Sequence, residues 1–204
     1  MRQLSSFLYP QKEDYDFIDA SHNGYMRLEQ PLLHRRWLLM GKSVPLLLII
    51  DWLEGEGRHE VEQRFQLHLD AAAGTVNEEF YPAVKIDYPA NALSMQICWA
   101  ACGQDSQPEH PQIELVPSWV SEIYGSKQES VSFVAKLVTG ENSGIAAVVL
   151  PQDLRLPADG KEWRLEQLDL NRTEQTVTLT LICGSHRLDV KANGEQVYWN
   201  MRDL

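Results

Sequence analysis

Residues 22–70 read HNGYMRLEQPLLHRRWLLMGKSVPLLLIIDWLEGEGRHEVEQRFQLHLD. Val61, Phe65, Leu67 and Leu69 fall on one face of an extended chain, and Glu62, Arg64, Gln66 and His68 on the other. That is the period-two signature of a half-buried strand. Arg35–Met40 and Val44–Asp51 read as two more strands, separated by the turn residues Gly41-Lys42-Ser43. Glu54-Gly55-Glu56-Gly57 supplies the next polar turn. Gly24–Leu28 is a short alternating run that reads as a further strand.

Outward from this stretch the pattern continues. Residues 1–20 are polar and irregular, as in a linker or a peripheral strand. Residues 70–80 carry the chain's one weak hint of helix. Strand-like segments follow at Ser94–Ala101, Ile113–Tyr124, Val131–Thr139 and Ile145–Leu150, with a loop around Gln104–Pro111. After a drop to loop composition near 151–161, Trp163–Leu170, Thr176–Ile182, His186–Ala192 and Gln196–Asn200 close the chain. Asn193-Gly194 is a hairpin signal between the last two. About ten short strands with turns every 8–12 residues predict an all-β, antiparallel β-sandwich. Residues 21–150 form its main part, and 151–204 complete the same domain.

The composition bounds the partners. With 44% hydrophobic and 23% charged residues the chain can bury a full core. A net charge of −11 argues against nucleic acid, which is bound through clustered Lys and Arg. The longest apolar run, Val44–Ile50, has 7 residues, far short of a membrane span. The first residues lack the apolar core of a secretion signal, which leaves the compartment open. Cys98, Cys102 and Cys183 are too scattered for a disulfide framework or a zinc ribbon and read as reduced thiols.

His34, Asp51 and His68 are spaced 17 and 17 residues apart. A tight turn at Lys42–Ser43 sets His34 opposite Asp51, and a connection centred near His59–Glu60 sets His68 opposite Asp51. Directly opposed Cβ atoms lie roughly 4.5–5.5 Å apart. In that register Trp37, Leu39, Leu46, Leu48, Ile50, Phe65, Leu67 and Leu69 share the opposite, apolar face. A one-residue slip would expose them. Two histidines and an aspartate suit Zn²⁺ or another divalent metal, with His59 as a rival ligand in the turn. Three unrelated surface residues are the plainer alternative. Arg36 and Arg64 lie beside the three as candidate anion-binding residues. His22 and Tyr25 form a candidate acid/base pair, against a loop histidine and a packed tyrosine. Trp119–Gly125 reads as structural, and His110 and His186 have no partner nearby in sequence. The sequon Asn171-Arg172-Thr173 is a match common by chance.

The run HNGYMRLEQPLLHRR…IIDWLEGEGRHEVEQRFQLHL, followed by PSWVSEIYGSKQES…AAVVLP, resembles the heparinase II/III-like family. The shared flow is an H-D-G-Y-x-R-L segment, an H-R-R strand, a V-x-D-x-L-E-G turn, an H-x-x-x-x-x-F-x-L-H strand and a W-x-S-x-x-Y-G-x-K segment. Asn23 departs from the family's usual Asp. The resemblance covers about residues 15–151.

It implies a C-terminal β domain of a polysaccharide lyase whose N-terminal domain is an (α/α) toroid. Such lyases cleave acidic, uronic-acid polysaccharides by β-elimination. The resemblance also implies a metal on His34, Asp51 and His68. The catalytic Tyr and Asn or His come mainly from the toroid, so this chain alone is expected to be inactive. A stand-alone carbohydrate-binding or interaction module is the alternative expectation.

Overall fold

Strand-forming sequence dominates every described segment of the computed structural model, which covers residues 4–8, 12–77, 81–102, 108–153 and 162–204. The strands are β1 (Leu4–Leu8), β2 (Tyr15–His22), β3 (Leu32–Gly41), β4 (Leu47–Gly55), β5 (His59–Gln66), β6 (Ala72–Asn77), β7 (Pro82–Tyr88) and β8 (Leu93–Cys102). They continue as β9 (Pro108–Glu109), β10 (Gln112–Val120), β11 (Gln128–Thr139), β12 (Ser143–Asp153), β13 (Arg164–Asn171), β14 (Thr176–Cys183), β15 (His186–Ala192) and β16 (Val197–Asp203). A 3₁₀ turn, Pro89–Asn91, is the one helical element among the described residues. No described helix is long and apolar enough to cross a membrane.

All the strand pairs are antiparallel. The largest sheet runs β1-β2-β3-β4-β12-β8-β7-β6, with β9 on β8. A three-stranded sheet runs β10-β11-β5, and a four-stranded sheet runs β13-β14-β15-β16. Alternation assigns the two faces of the large sheet to two cores. Trp37, Leu39, Leu48, Ile50, Ala146 and Val148 pack with Leu179, Leu181 and Val190 of the four-stranded sheet. Trp99, Ala101, Ile145 and Ala147 pack with Phe133 and Ala135 of the three-stranded sheet. The result is a three-layered β-sandwich with the large sheet in the middle.

Neither β2 nor β3 contributes to the second core, which draws on β4, β12, β8, β7 and β6 from the large sheet. Their face on that side is an open ledge, where Ile18 and Met40 are exposed. The ledge begins where β5, an edge strand of the small sheet, passes over β4.

Four expectations need correction. The β3–β4 register is shifted by two: Arg36 faces Asp51, and His34 faces Leu53. The turn closes from the Gly41 amide to the Leu46 carbonyl at 2.9 Å, so four residues lie between, not two. Second, β5 does not pair with β4. It pairs with β11, so Phe65 and Leu67 belong to the other core from Trp37 and Leu48. Third, Gly24–Leu28 is a pair of successive turns, with Met26 donating to Asn23 and Leu28 to Tyr25 at 3.1 Å each. It reverses the chain between β2 and β3 and has no strand beside it. Fourth, the helical hint at 70–80 gives way to β6, where the alanines and Thr75-Val76 pair with β7; residues 78–80 lie outside the described ones.

Residues 1–20 supply β1 and most of β2. The loop-like 154–161 and most of the loop near 104–111 lie outside the described residues.

Candidate functional site

A two-residue register shift preserves the side-chain face. His34, Arg36 and Asp51 therefore still point to the same side, at the boundary between the ledge and β5. Asp51 is buried and Arg36 is 45% exposed at its side chain. The Arg36 guanidinium grips the carboxylate as a fork, Nε to Oδ1 at 2.6 Å and one Nη to Oδ2 at 2.8 Å. His34 Nε2 meets Oδ1 at 2.7 Å. Gln63 Nε2 donates to Oδ2 at 3.0 Å, and its Oε1 accepts from the Trp99 indole at 2.9 Å.

The chain of contacts continues outward. β2 pairs His22 with His34, and His22 Nε2 lies 2.9 Å from His34 Nδ1. The Gly24 amide donates to His22 Nδ1 at 3.1 Å. A nitrogen that accepts an N–H carries no proton of its own, so His22 is protonated at Nε2. That proton points to His34 Nδ1, which leaves His34 protonated at Nε2, toward Asp51. The backbone thus sets the direction of a relay running from Gly24 through His22 and His34 to Asp51. Tyr25 lies over it, its ring 5.2 Å from His22 and 6.2 Å from His34.

Burial pushes the Asp51 carboxyl up. The His34 and Arg36 hydrogen bonds and the Arg36 charge more than offset this and hold it down at about 2. The Arg36 guanidinium is correspondingly pushed up by its bond to Asp51. The pair is ionised across the neutral range.

Family comparisons add the identity of the framework. A model described as heparinase II/III-like, C-terminal, matches residues 3–180. The chain belongs to the heparinase II/III-like C-terminal family. The fold of this heparinase II/III-like domain is similar to that of the heparan sulfate lyase HepC from Pedobacter heparinus, with a TM-score of 0.68 at 16% identity over 93% of this chain. It is also similar to a heparinase III, the BT4657 gene product, with a TM-score of 0.62 at 12% identity over 99% of this chain. In each case the chain spans 28% of the solved protein. No curated protein matches the sequence. The domain therefore corresponds to the C-terminal β region of polysaccharide lyases.

Five of the residues singled out from the sequence come together in the heparinase II/III-like domain: His22, Tyr25, His34, Arg36 and Asp51. Two do not. His68 lies just past β5 and is held by Asp70 at Nδ1 and by Glu122 at Nε2, the latter at 2.7 Å. Arg64 is exposed on the outer face of β5, 3.1 Å from Glu62. His59 bonds the Glu56 carbonyl at 3.1 Å. Gln63 and Trp99 were not foreseen. The signal for Gln63 was present: it is a polar residue in register with Val61 and Phe65 on the inward face of β5.

The implied metal can be tested against these donors. Among the described residues no group of three or more His, Cys, Asp or Glu is placed to hold an ion. Both nitrogens of His34 and both oxygens of Asp51 already have protein partners, and His68 is bonded elsewhere. The residues in this arrangement do not fit the ion.

Proposed function

We propose that this domain forms one wall of the substrate cleft of a polysaccharide lyase acting on uronic-acid polysaccharide, beside a helical N-terminal domain. The observation that carries the reading is the His22–His34–Asp51–Arg36 cluster, with Tyr25 over it, at the open ledge of a lyase-type β domain. β-Elimination needs the uronate carboxylate neutralised, a base for the C5 proton and an acid for the leaving oxygen. Arg36 uses Nε and one Nη on Asp51, and its side chain is 45% exposed, which leaves the guanidinium open to a carboxylate or sulfate. Tyr25 stands at the outer end of the relay, where its hydroxyl can hold or pass a proton, and His22 lies beneath it with both ring nitrogens engaged. Asp51 and His34 act behind them by fixing the histidine tautomers. The remaining acid/base groups belong to the helical domain, so the 204-residue chain alone does not turn over substrate.

The test has two parts. Titration of the chain with a uronate oligosaccharide should give salt-sensitive binding that Arg36→Gln weakens about tenfold. Binding indifferent to both salt and Arg36 would defeat the assignment of the cleft wall. An absorbance assay for the unsaturated uronate product should show no turnover by this chain alone. Robust turnover would overturn the division of labour between domains.

A further inference from the structure

We propose that the Arg36 guanidinium takes the place of a metal ion at Asp51, so that this lyase-type domain holds its His–Asp site together without a metal. The inference concerns the cation at the site and stands whether or not the ledge binds polysaccharide.

The argument begins with lone pairs. An ionised carboxylate offers about four acceptor positions. At Asp51 four donors fill them: His34 and Arg36 Nε on Oδ1, Arg36 Nη and Gln63 on Oδ2. An imidazole ligates a metal through an unprotonated nitrogen. His34 has one, Nδ1, and it accepts the proton of His22 Nε2. Its other nitrogen points a proton at Asp51. Turning the His34 ring over would forfeit its contacts with both His22 and Asp51, and His22 keeps its tautomer because the Gly24 amide occupies Nδ1.

Charge leads to the same conclusion. Arg36 and Asp51 make a neutral bidentate pair, the geometry for which a guanidinium is suited. A divalent ion on the Asp51 oxygens would sit against a guanidinium whose nitrogens are 2.6 and 2.8 Å from those oxygens. Either the ion or the arginine must leave.

Register explains how the arginine reaches this position. The four-residue turn after Gly41 puts Arg36 directly opposite Asp51 and moves His34 to the diagonal. In the shorter turn His34 would have been opposite. The fork also does something a buried ion would not. It leaves a cationic edge on the ledge while neutralising the carboxylate beneath it.

The test is metal content of the purified chain after incubation with zinc and with calcium and passage through a desalting column. The wild type is expected to carry no more metal than His34→Ala and Asp51→Asn, and its thermal midpoint should be indifferent to EDTA. Arg36→His removes the fork and adds an imidazole opposite Asp51; it should gain zinc over the wild type and acquire an EDTA-sensitive midpoint. Arg36→Lys, which keeps charge without the fork, should stay metal-free. One equivalent of metal in the wild type, lost in His34→Ala, would overturn the proposal. The wild-type measurement decides it even if a variant fails to fold. Absence of polysaccharide binding by a metal-free wild type would count against the cleft-wall reading alone.

Discussion

Gln63 reaches from the edge of the small sheet to Asp51 in the large one, its amide nitrogen 3.0 Å from Oδ2. The same side chain accepts from Trp99 on β8 at 2.9 Å. One buried amide therefore ties three strands of two layers to the carboxylate on which the histidines rest. Gln63→Leu keeps the volume and leaves the Trp99 indole N–H without that acceptor. The expected loss is about 1–3 kcal/mol, the cost of an unsatisfied buried polar group. Gln63→Glu places a second carboxylate against Asp51 and should lose more at pH 7, with part of the loss recovered at pH 5 as the new acid takes up a proton. Urea unfolding at the two pH values measures both. Equal stability of the Leu variant and wild type would mean that the amide is not a tie.

Asp51 contributes to the acid sensitivity of the fold. Its carboxyl is depressed from 3.8 to about 2. A depressed acid stabilises the folded state above its unfolded pKa, and that stabilisation is lost as pH falls through the folded value. The window is therefore pH 4 down to pH 2, and the contribution is about 2 kcal/mol. Asp51→Asn should flatten the stability profile in that window and lower stability at pH 7, because Arg36 loses its counter-charge. A profile as steep as the wild type's would place the acid sensitivity elsewhere.

Gly144 on β12 lies opposite Trp52 on β4. A Cβ there would stand 2.6 Å from the Trp52 ring, which is fully buried in the core shared with the four-stranded sheet. Because the indole is fully buried, Gly144→Ala should cost about 1–3 kcal/mol by overpacking. Loss of near-ultraviolet signal together with a lower thermal midpoint would report displacement of Trp52. An unchanged midpoint would mean that the core is looser around the indole than these distances say.

Faces were legible in the sequence because a strand's period is two and survives a two-residue error. His34, Arg36 and Asp51 share a face in the expected register and in the observed one. Turn length was not legible: Val44 and Leu46 looked like strand, yet with Pro45 they belong to the connection before β4. Sheet membership was hidden as well. β5 follows β4 directly but pairs with β11, and no local pattern in Val61–Leu69 distinguishes the two partners. That placement separates His68 from Asp51 and brings Gln63 to it. The roles of Arg36 and Gln63 depended on register and layer, while His22 and Tyr25 could be singled out because they lie three residues apart, at the end of β2 and in the turn that follows it.

His68, equidistant in sequence from the site it does not join, makes a separate prediction. Hydrogen bonds from its ring to Asp70 and then Glu122 push its pKa above the ordinary histidine value of 6.5. For a raised base the stabilisation is complete below the unfolded pKa and is lost as pH rises through the folded one. The affected structure is local, since Glu122 belongs to the turn between β10 and β11, where Ile123 and Tyr124 stand exposed. The partners are exposed too, so global stability should hardly change. Amide exchange of residues 121–127 should quicken as pH rises through the His68 titration, beyond the intrinsic rate increase, and Glu122→Gln should abolish that step. The same variant should lower the His68 pKa followed by NMR, with a smaller residual elevation from Asp70. A His68 titration unmoved by both Glu122→Gln and Asp70→Asn would show that the two carboxylates do not hold the ring in solution.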